Sequence, residues 1–443
     1  MIKIIKILLT AFLITGLGAQ GLFESATSAV KTVETAGGLD ITGFVRSIVY
    51  INETANQKEY QLQSGYGELC LKLRAYQGDG GDAFAKLRFR SGHEYGNSIS
   101  EFDVSEAYVN AYLWKFDLRF GKQIVVWGRA DGFNPTNNIT PQNTTVRSPD
   151  PDDIRSANFL LRSYFNLTPV IRLEGIWVPE YMPTVLAFEM ADLPDNISIG
   201  TGEYPDSRLE NSLRAGRLSL ELPAFDGSIS YVSGYNPMPG IKLRSLDIST
   251  GAMTIIPAAY KQQIFGFDFS TAVSSWGLRG EAVYRIPEEE HNGFPNYFIP
   301  CKDAYYVVGI DRMWGDLNLI AQYIGRYIPD WEDLKITADP MSQLYGNLEN
   351  YNRLFAQQTH KTRHVLTFRP AYSLFYETLS LELFGLYDLT TSELMLIPQL
   401  VYKPADALVI TIGGNIYSGD DGTAYDLIED SYNALYFELK VAF

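Results

Sequence analysis

Cysteine, histidine and long apolar runs are what this sequence has least of. Only two cysteines, Cys70 and Cys301, occur in 443 residues, too few for a disulfide framework, though compatible with an oxidising envelope. A bridge between them is open, though Cys70 falls inside an alternating stretch and Cys301 in a connecting one, which weighs against it. The four histidines, His93, His291, His360 and His364, form no convincing metal site. His360 and His364 are four apart but straddle the start of an expected strand, where that interval does not bring two rings together. No Gly-x-Ser-x-Gly elbow, phosphate loop or dinucleotide fingerprint is present, and no acidic loop has calcium-ligand spacing. No enzymatic activity, metal or cofactor is expected.

No apolar run after the N-terminal one reaches the ~18 residues that a membrane helix needs. No Pro- or Ser-rich linker divides the chain, so a single domain is expected. At the N-terminus, Lys3 and Lys6 precede an apolar run over 7–17 and then Gly18, Ala19 and Gly21. Residues 1–21 therefore read as a secretory signal peptide. Residues 22–38 carry Leu22, Ala26, Ala29, Val30 and Val33 at helical spacing before Gly37 and Gly38. That pattern fits either a disordered periplasmic segment or a short amphipathic helix.

What the chain has in abundance is alternation. Leu435, Phe437, Leu439, Val441 and Phe443 alternate with Tyr436, Glu438, Lys440 and Ala442 up to the last residue. A period of two gives a strand one greasy and one wet face. From residue 39 onward this pattern recurs in about eighteen segments, the first over 39–51, the fifth over 116–127 and the last over 433–443. Every second link is short, such as Trp114-Lys115, Ser274-Ser275, Trp314-Gly315 and Ser373-Leu374, whereas 128–154, 179–211, 236–259, 287–303 and 328–360 are long. Short turns at one end and long loops at the other, with 13% aromatic residues, predict an all-β fold. Residues 39–443 should form a transmembrane antiparallel β-barrel with short periplasmic turns and long extracellular loops. A sandwich or propeller has no reason to produce this asymmetry. Within 328–360, Leu344, Leu348, Tyr351 and Phe355 predict a helix, placed either on the surface or over the pore.

If the apolar register faces lipid, the polar register lines the lumen. On it fall Lys72, Arg74, Lys86, Arg88, Arg90, Arg119, Arg162 and Arg217, with Glu106 and Glu221 among the opposing acids. The chain carries a formal charge of −16, so the excess acid is expected in loops such as Asp150-Pro151-Asp152-Asp153, Glu288-Glu289-Glu290 and Asp420-Asp421. Two arrangements of the wall are open. The cations form a basic stripe that concentrates anions, or they pair across strands with Glu68, Glu106 and Asp117.

The densest stretch runs Gly121-Lys122-Gln123, then Trp127-Gly128-Arg129-Ala130-Asp131-Gly132, then Asn134-Pro135. Simple alternation would set Lys122 beside Phe120 and Ile124 on the lipid face, so a bulge at Gly121 is expected to turn it inward. The stretch resembles an uncharacterised family of bacterial outer-membrane barrels associated with envelope exporters of the resistance-nodulation-division superfamily, and is more distantly similar to alginate-export and porin barrels. The C-terminal Phe443 likewise resembles the assembly signal of such barrels. The resemblance implies a place in the bacterial outer membrane, with its lipid, the barrel-assembly machinery and exporter components as partners and no nucleic acid. By analogy with the third loop of porins, Arg129, Asp131 and Arg147 are candidate constriction residues. The function so implied is passage of small anionic or amphiphilic solutes. The alternative, resting on the long loops, is a barrel-anchored surface adhesin or binding protein.

Overall fold

A computed structural model describes residues 37–53, 60–76, 78–186, 196–291 and 295–443. The expected signal peptide and nearly all of the segment that follows it lie outside these residues. The described chain forms β1 (Gly38–Glu53), β2 (Tyr60–Tyr76), β3 (Gly81–Glu94), β4 (Asn97–Leu113), β5 (Phe116–Gln123), β6 (Asn158–Thr168) and β7 (Ile171–Val178). It continues with β8 (Ile197–Ile199), β9 (Leu213–Leu222), β10 (Phe225–Tyr235), β11 (Gly240–Leu246), β12 (Met253–Ala258), β13 (Lys261–Val273) and β14 (Trp276–Pro287). The last strands are β15 (Asp303–Trp314), β16 (Leu317–Tyr327), β17 (Thr362–Leu374), β18 (Leu379–Asp388), β19 (Leu394–Ala405), β20 (Leu408–Ser418) and β21 (Ala434–Ala442).

Eighteen of these strands join in one antiparallel sheet, and β8, β11 and β12 make a separate three-stranded one. The large sheet closes on itself because β1 pairs with both β2 and β21. Phe443 completes the seam: its N–H donates to Gly43 O at 3.0 Å and its carbonyl accepts from Gly43 N at 2.9 Å. Closure leaves no strand edge unpaired, which the hydrocarbon layer demands. The eighteen barrel strands fall where the alternation predicts them, with ends displaced by a few residues.

The outward register carries the greasy side chains. Trp114, Phe116, Trp276, Trp314, Phe375 and Tyr376 form an exposed aromatic collar at the short-turn end, the level of a membrane interface. The turn expected at Ser373-Leu374 lies instead over 375–378, where Phe375, Tyr376 and Glu377 all take positive φ. Ladder pairing of Leu374 with Leu379 carries the strands past the expected corner.

The inward register is not uniformly polar. On β7, Arg172 and Glu174 give way to Ile176 and Val178 towards the long-loop end, and on β9 Glu221, Ser219 and Arg217 give way to Ala215 and Leu213. These apolar inner residues, with Leu160, Val232, Ile264 and Val283, bury Val125, Trp127 and Ile139 of the chain that follows β5. A second apolar cluster joins inner-wall Val307, Ile324, Val365, Phe384 and Met395 to loop residues such as Phe133, Ile241, Tyr297, Leu354 and Ile428. The long loops therefore fold into the barrel and fill much of its upper half.

Two α-helices among the described residues contribute. The expected helix is present as α1 (Pro340–Phe355), capped by Asp339, which accepts Ser342 N–H at 2.9 Å. It is not a free surface element: Leu348, Tyr351 and Phe355 are buried, and Asn352 binds the backbone of Ile241 on β11 through both N–H and carbonyl, at 2.7 and 2.9 Å. The second, α2 (Ala424–Tyr432), buries Tyr425, Leu427, Ile428 and Tyr432. Both cysteines are free, Cys70 being buried. Alkylation after unfolding without reductant should accordingly count two thiols per chain, and mass spectrometry that finds none would contradict this.

Candidate functional site

The chain leaves the wall after Gln123, four residues earlier than the alternation over 116–127 suggests, and returns at Asn158. The reason is local. Val125 N–H and carbonyl are taken by Thr140 Oγ1 at 3.0 and 2.6 Å, so a side chain of the same loop replaces the ladder partner. Trp127 then turns inward and donates Nε1–H to Glu174 at 3.3 Å.

The Trp-Gly-Arg-Ala-Asp-Gly stretch wraps around one carboxylate. Glu281 of β14 accepts the N–H groups of Arg129 and Ala130 at 2.5 and 2.6 Å through one oxygen, and Thr136 N–H and Oγ1–H at 3.2 and 2.8 Å through the other. Gly128 has φ +119°, and a Cβ there would sit 2.6 Å from Glu281 Oε1. Only glycine allows that approach. Arg129 and Asp131 do not pair with each other. Arg129 Nε meets Asp268 of β13 at 2.7 Å, whereas Asp131 meets Arg369 of β17 at 2.8 Å, and Phe133 stacks on Phe384 of β18. The loop thus spans the barrel between walls far apart in sequence.

Its return limb is tied to a third wall. Arg46 of β1, buried to 1% exposure, binds Glu68 at 2.7 Å, Asp153 at 2.5 Å and Glu438 at 3.4 Å. Arg88 bridges the same Glu68 and Asp153 at 2.7 and 3.4 Å. Burial would raise the Asp153 pKa, but Arg46, Arg88 and the Ser148 hydroxyl together hold it well below the usual aspartate range. Asp153 is therefore not part of an acidic rim, as the loop composition suggests, but a buried tether. Arg147 lies over the rings of Tyr50, Tyr95 and Tyr432 and donates one N–H to Tyr432 O at 3.1 Å.

The wall cations sort into two groups. Arg88 and Arg90 pair with Glu68 and Glu94, Arg74 with Asp82, Arg162 with Glu174 and Arg217 with Asp268. Glu221 meets Arg172 at 3.8 Å near the short turns. The expected partners Glu106 and Asp117 are used otherwise, accepting from Ile124 N–H and Asn166. Arg119 donates to Asn110 at 2.8 Å and covers Tyr108. Lys72 and Lys86 face each other directly across β2 and β3, and among the described residues neither has a carboxylate within 4 Å. The expected bulge at Gly121 is absent. Pairing runs unbroken along β4 and β5, the register shift lies at Lys86/Leu87 instead, and Lys122 is neutralised by Asp103 at 3.1 Å.

Sequence reasoning passed over Arg46. Its signal was there, a lone charge inside Phe44-Val45-Arg46-Ser47-Ile48-Val49-Tyr50, since a charge set in an apolar run needs a buried partner. His364 accepts or donates at Tyr323 Oη, 2.6 Å away, and His291 at Glu349, 3.0 Å away. Among the described residues no three His, Cys, Asp or Glu side chains are grouped to hold a metal ion.

A closed barrel of eighteen antiparallel strands with an inward-folded loop after β5 defines a porin-like transmembrane architecture, which points to an outer-membrane location. No protein-family model and no curated protein matches the sequence. Solved barrels do match the fold. OccAB3 of Acinetobacter baumannii superposes with a TM-score of 0.54 at 12% identity, over 91% of this chain and 99% of that one. OccK2 (OpdF) of Pseudomonas aeruginosa gives 0.54 at 11% identity, over 91% and 97% of the two chains. At such identities the likeness is one of fold.

Proposed function

We propose that the protein is an outer-membrane channel for small anionic or amphiphilic solutes, working beside an envelope exporter. The observation that carries this reading is the Lys72–Lys86 pair. Like charges directly opposite on neighbouring strands destabilise a sheet. Glu106, next to Lys86 on β4, spends its carboxylate on Ile124 N–H rather than on the ammonium. Positive charge held without a direct ion pair inside a confined, low-dielectric lumen attracts anions. In this reading Arg74, Arg119, Arg162 and Arg217 line the same lower lumen as paired or hydrogen-bonded groups, and Arg129, Asp131 and Arg147 hold the constriction. Above them the inward-folded chain leaves cavities of about 220 Å³, lined in part by Phe355 of α1, and about 160 Å³, lined in part by Tyr432 of α2, and in this reading such spaces suit small solutes.

The test is reversal potential across a planar bilayer under a salt gradient. The wild type is expected to be anion-selective with small conductance steps. The double variant Lys72→Glu, Lys86→Glu should turn it cation-selective, with the permeability ratio changing by roughly tenfold, as expected for ~1.4 kcal/mol of altered lumen potential. Arg88→Glu is a poorer probe, because Arg88 is locked to Glu68 and Asp153. An unchanged reversal potential in the folded double variant would remove the lysine pair from selectivity.

A further inference from the structure

The outer face of the barrel carries an apolar groove of about 520 Å³ lined by Pro370, Leu383, Pro398, Gly414 and Leu435, among others. Register makes these five one continuous row across β17–β21. Leu383 faces Pro398 and Gly414 faces Leu435. Continuing the flanking pairs sets Pro370 opposite Leu383 and Pro398 opposite Gly414. At those two positions the ladder is interrupted: pairing stops at Phe368 and resumes at Ala371 on β17, and stops at Leu396 and resumes at Gln399 on β19. Proline has no N–H to give, so each interruption is a donor the chain cannot supply. Hydrocarbon offers no water in its place, so the wall is weakened along this row.

Directly behind it, inside the barrel, is the cavity of about 160 Å³, and Glu382 and Gln399 line both it and the outer groove. Arg147 lines the inner cavity with 5% exposure, and its Nε and Nη1 have no hydrogen-bond partner. A desolvated guanidinium with two open donors is a strong seat for an anionic head group. An anion seat inside and an apolar trough outside therefore stand back to back across one strand layer.

We propose that β17–β20 form a lateral doorway for an anionic single-chain amphiphile, whose head rests on Arg147 and whose chain passes through the proline row into the outer groove. This deepens the channel reading by naming a solute class and a second exit. The full-length barrel, refolded into phosphatidylcholine vesicles, is irradiated with diazirine-bearing palmitate and the labelled peptides are mapped. Saturable labelling should concentrate on 370–383 and 398–414 and be displaced by excess palmitate. Pro370→Val with Pro398→Val restores both donors and should cut labelling by about fivefold or more, fivefold being the factor that one net hydrogen bond supplies at each seam, with ion conductance unchanged. Arg147→Gln should also cut it while the folded, heat-modifiable band persists. Labelling spread evenly around the barrel, or unchanged in both variants, overturns the doorway. Conductance without saturable labelling does so too and leaves the channel standing. Saturable labelling at the row in a barrel that does not conduct supports the doorway and overturns the channel reading.

Discussion

Replacing Arg46 by leucine is expected to release the inner loop from the β1–β3 wall and to raise single-channel conductance several-fold. Arg46 lies within 4 Å of Glu68, Asp153 and Glu438 and donates to Ser148 at 3.3 Å. Leucine would leave Glu68 and Asp153 sharing Arg88 and would strip Glu438 of its ion pair, an uncompensated buried charge that costs on the order of 3–5 kcal/mol. The wall residues cannot move, since their backbones are in the ladder. Asp153 can, and it takes the return limb of the loop with it. Acid should reverse the effect. In the wild type the Asp153 pKa is depressed, so its stabilising contribution is complete above the ordinary aspartate value and is lost only as pH falls through the lowered one. Wild-type conductance is thus expected to be flat from pH 8 down to about 4. Without Arg46 the carboxyl loses its largest favourable partner, so it takes up a proton at higher pH than in the wild type, and acidification should let the loop settle back. Conductance recordings across that range, with trypsin cleavage after Arg147 as a second readout, decide it. A variant that conducts and resists trypsin like the wild type would mean that Arg88 alone holds the loop.

Glu281→Gln is expected to loosen the other limb. The glutamate receives four donors, two on each oxygen. A carboxamide keeps one oxygen for Arg129 and Ala130 but turns an NH2 group on Thr136, whose hydroxyl can rotate to accept it while its backbone N–H is left facing a donor. Leaving that buried N–H unmet costs roughly 1–3 kcal/mol. The outcome should be trypsin cleavage after Arg129 and noisier, larger current steps, with the barrel itself intact because β14 remains paired on both sides. Quiet steps of wild-type size would show that Asp268 and Arg369 suffice to hold Arg129 and Asp131.

The closed barrel was legible because its determinants are local. Each strand announces itself by a period of two, and each short link by residues that turn the chain, as at Trp114 and Ser274 with positive φ. α1 was legible for the same reason, its sixteen residues being enough to show a helical stripe. By contrast α2 is nine residues long and β8 three, too short to hold a repeat. Asp153 lies in a loop as expected, but its burial was not legible, for a different reason. Composition marks 150–153 as a solvated acidic turn, and only the folding of that turn against Arg46 and Arg88 makes one of its aspartates a buried tether.

The glycine and tryptophan of the stretch after β5 marked a special conformation, but not what it was special for. Gly128 is needed because Glu281, more than 150 residues away, must come close to the backbone, and that contact has no trace in the local pattern. The same holds for the wall charges. Alternation put Lys72, Lys86 and the arginines on one face, yet which of them are neutralised depends on acids delivered from other strands and from the loop. By itself, then, the sequence determined the barrel, its strand number and its two unlike ends, because β-alternation and turn chemistry act over a few residues. The tertiary structure alone decided that the long loops fill the upper lumen, which cations stay unpaired, and where prolines on β17 and β19 align into one weak row. Those are meetings of residues distant in the chain, and pairing, burial and desolvation exist only once the barrel has closed.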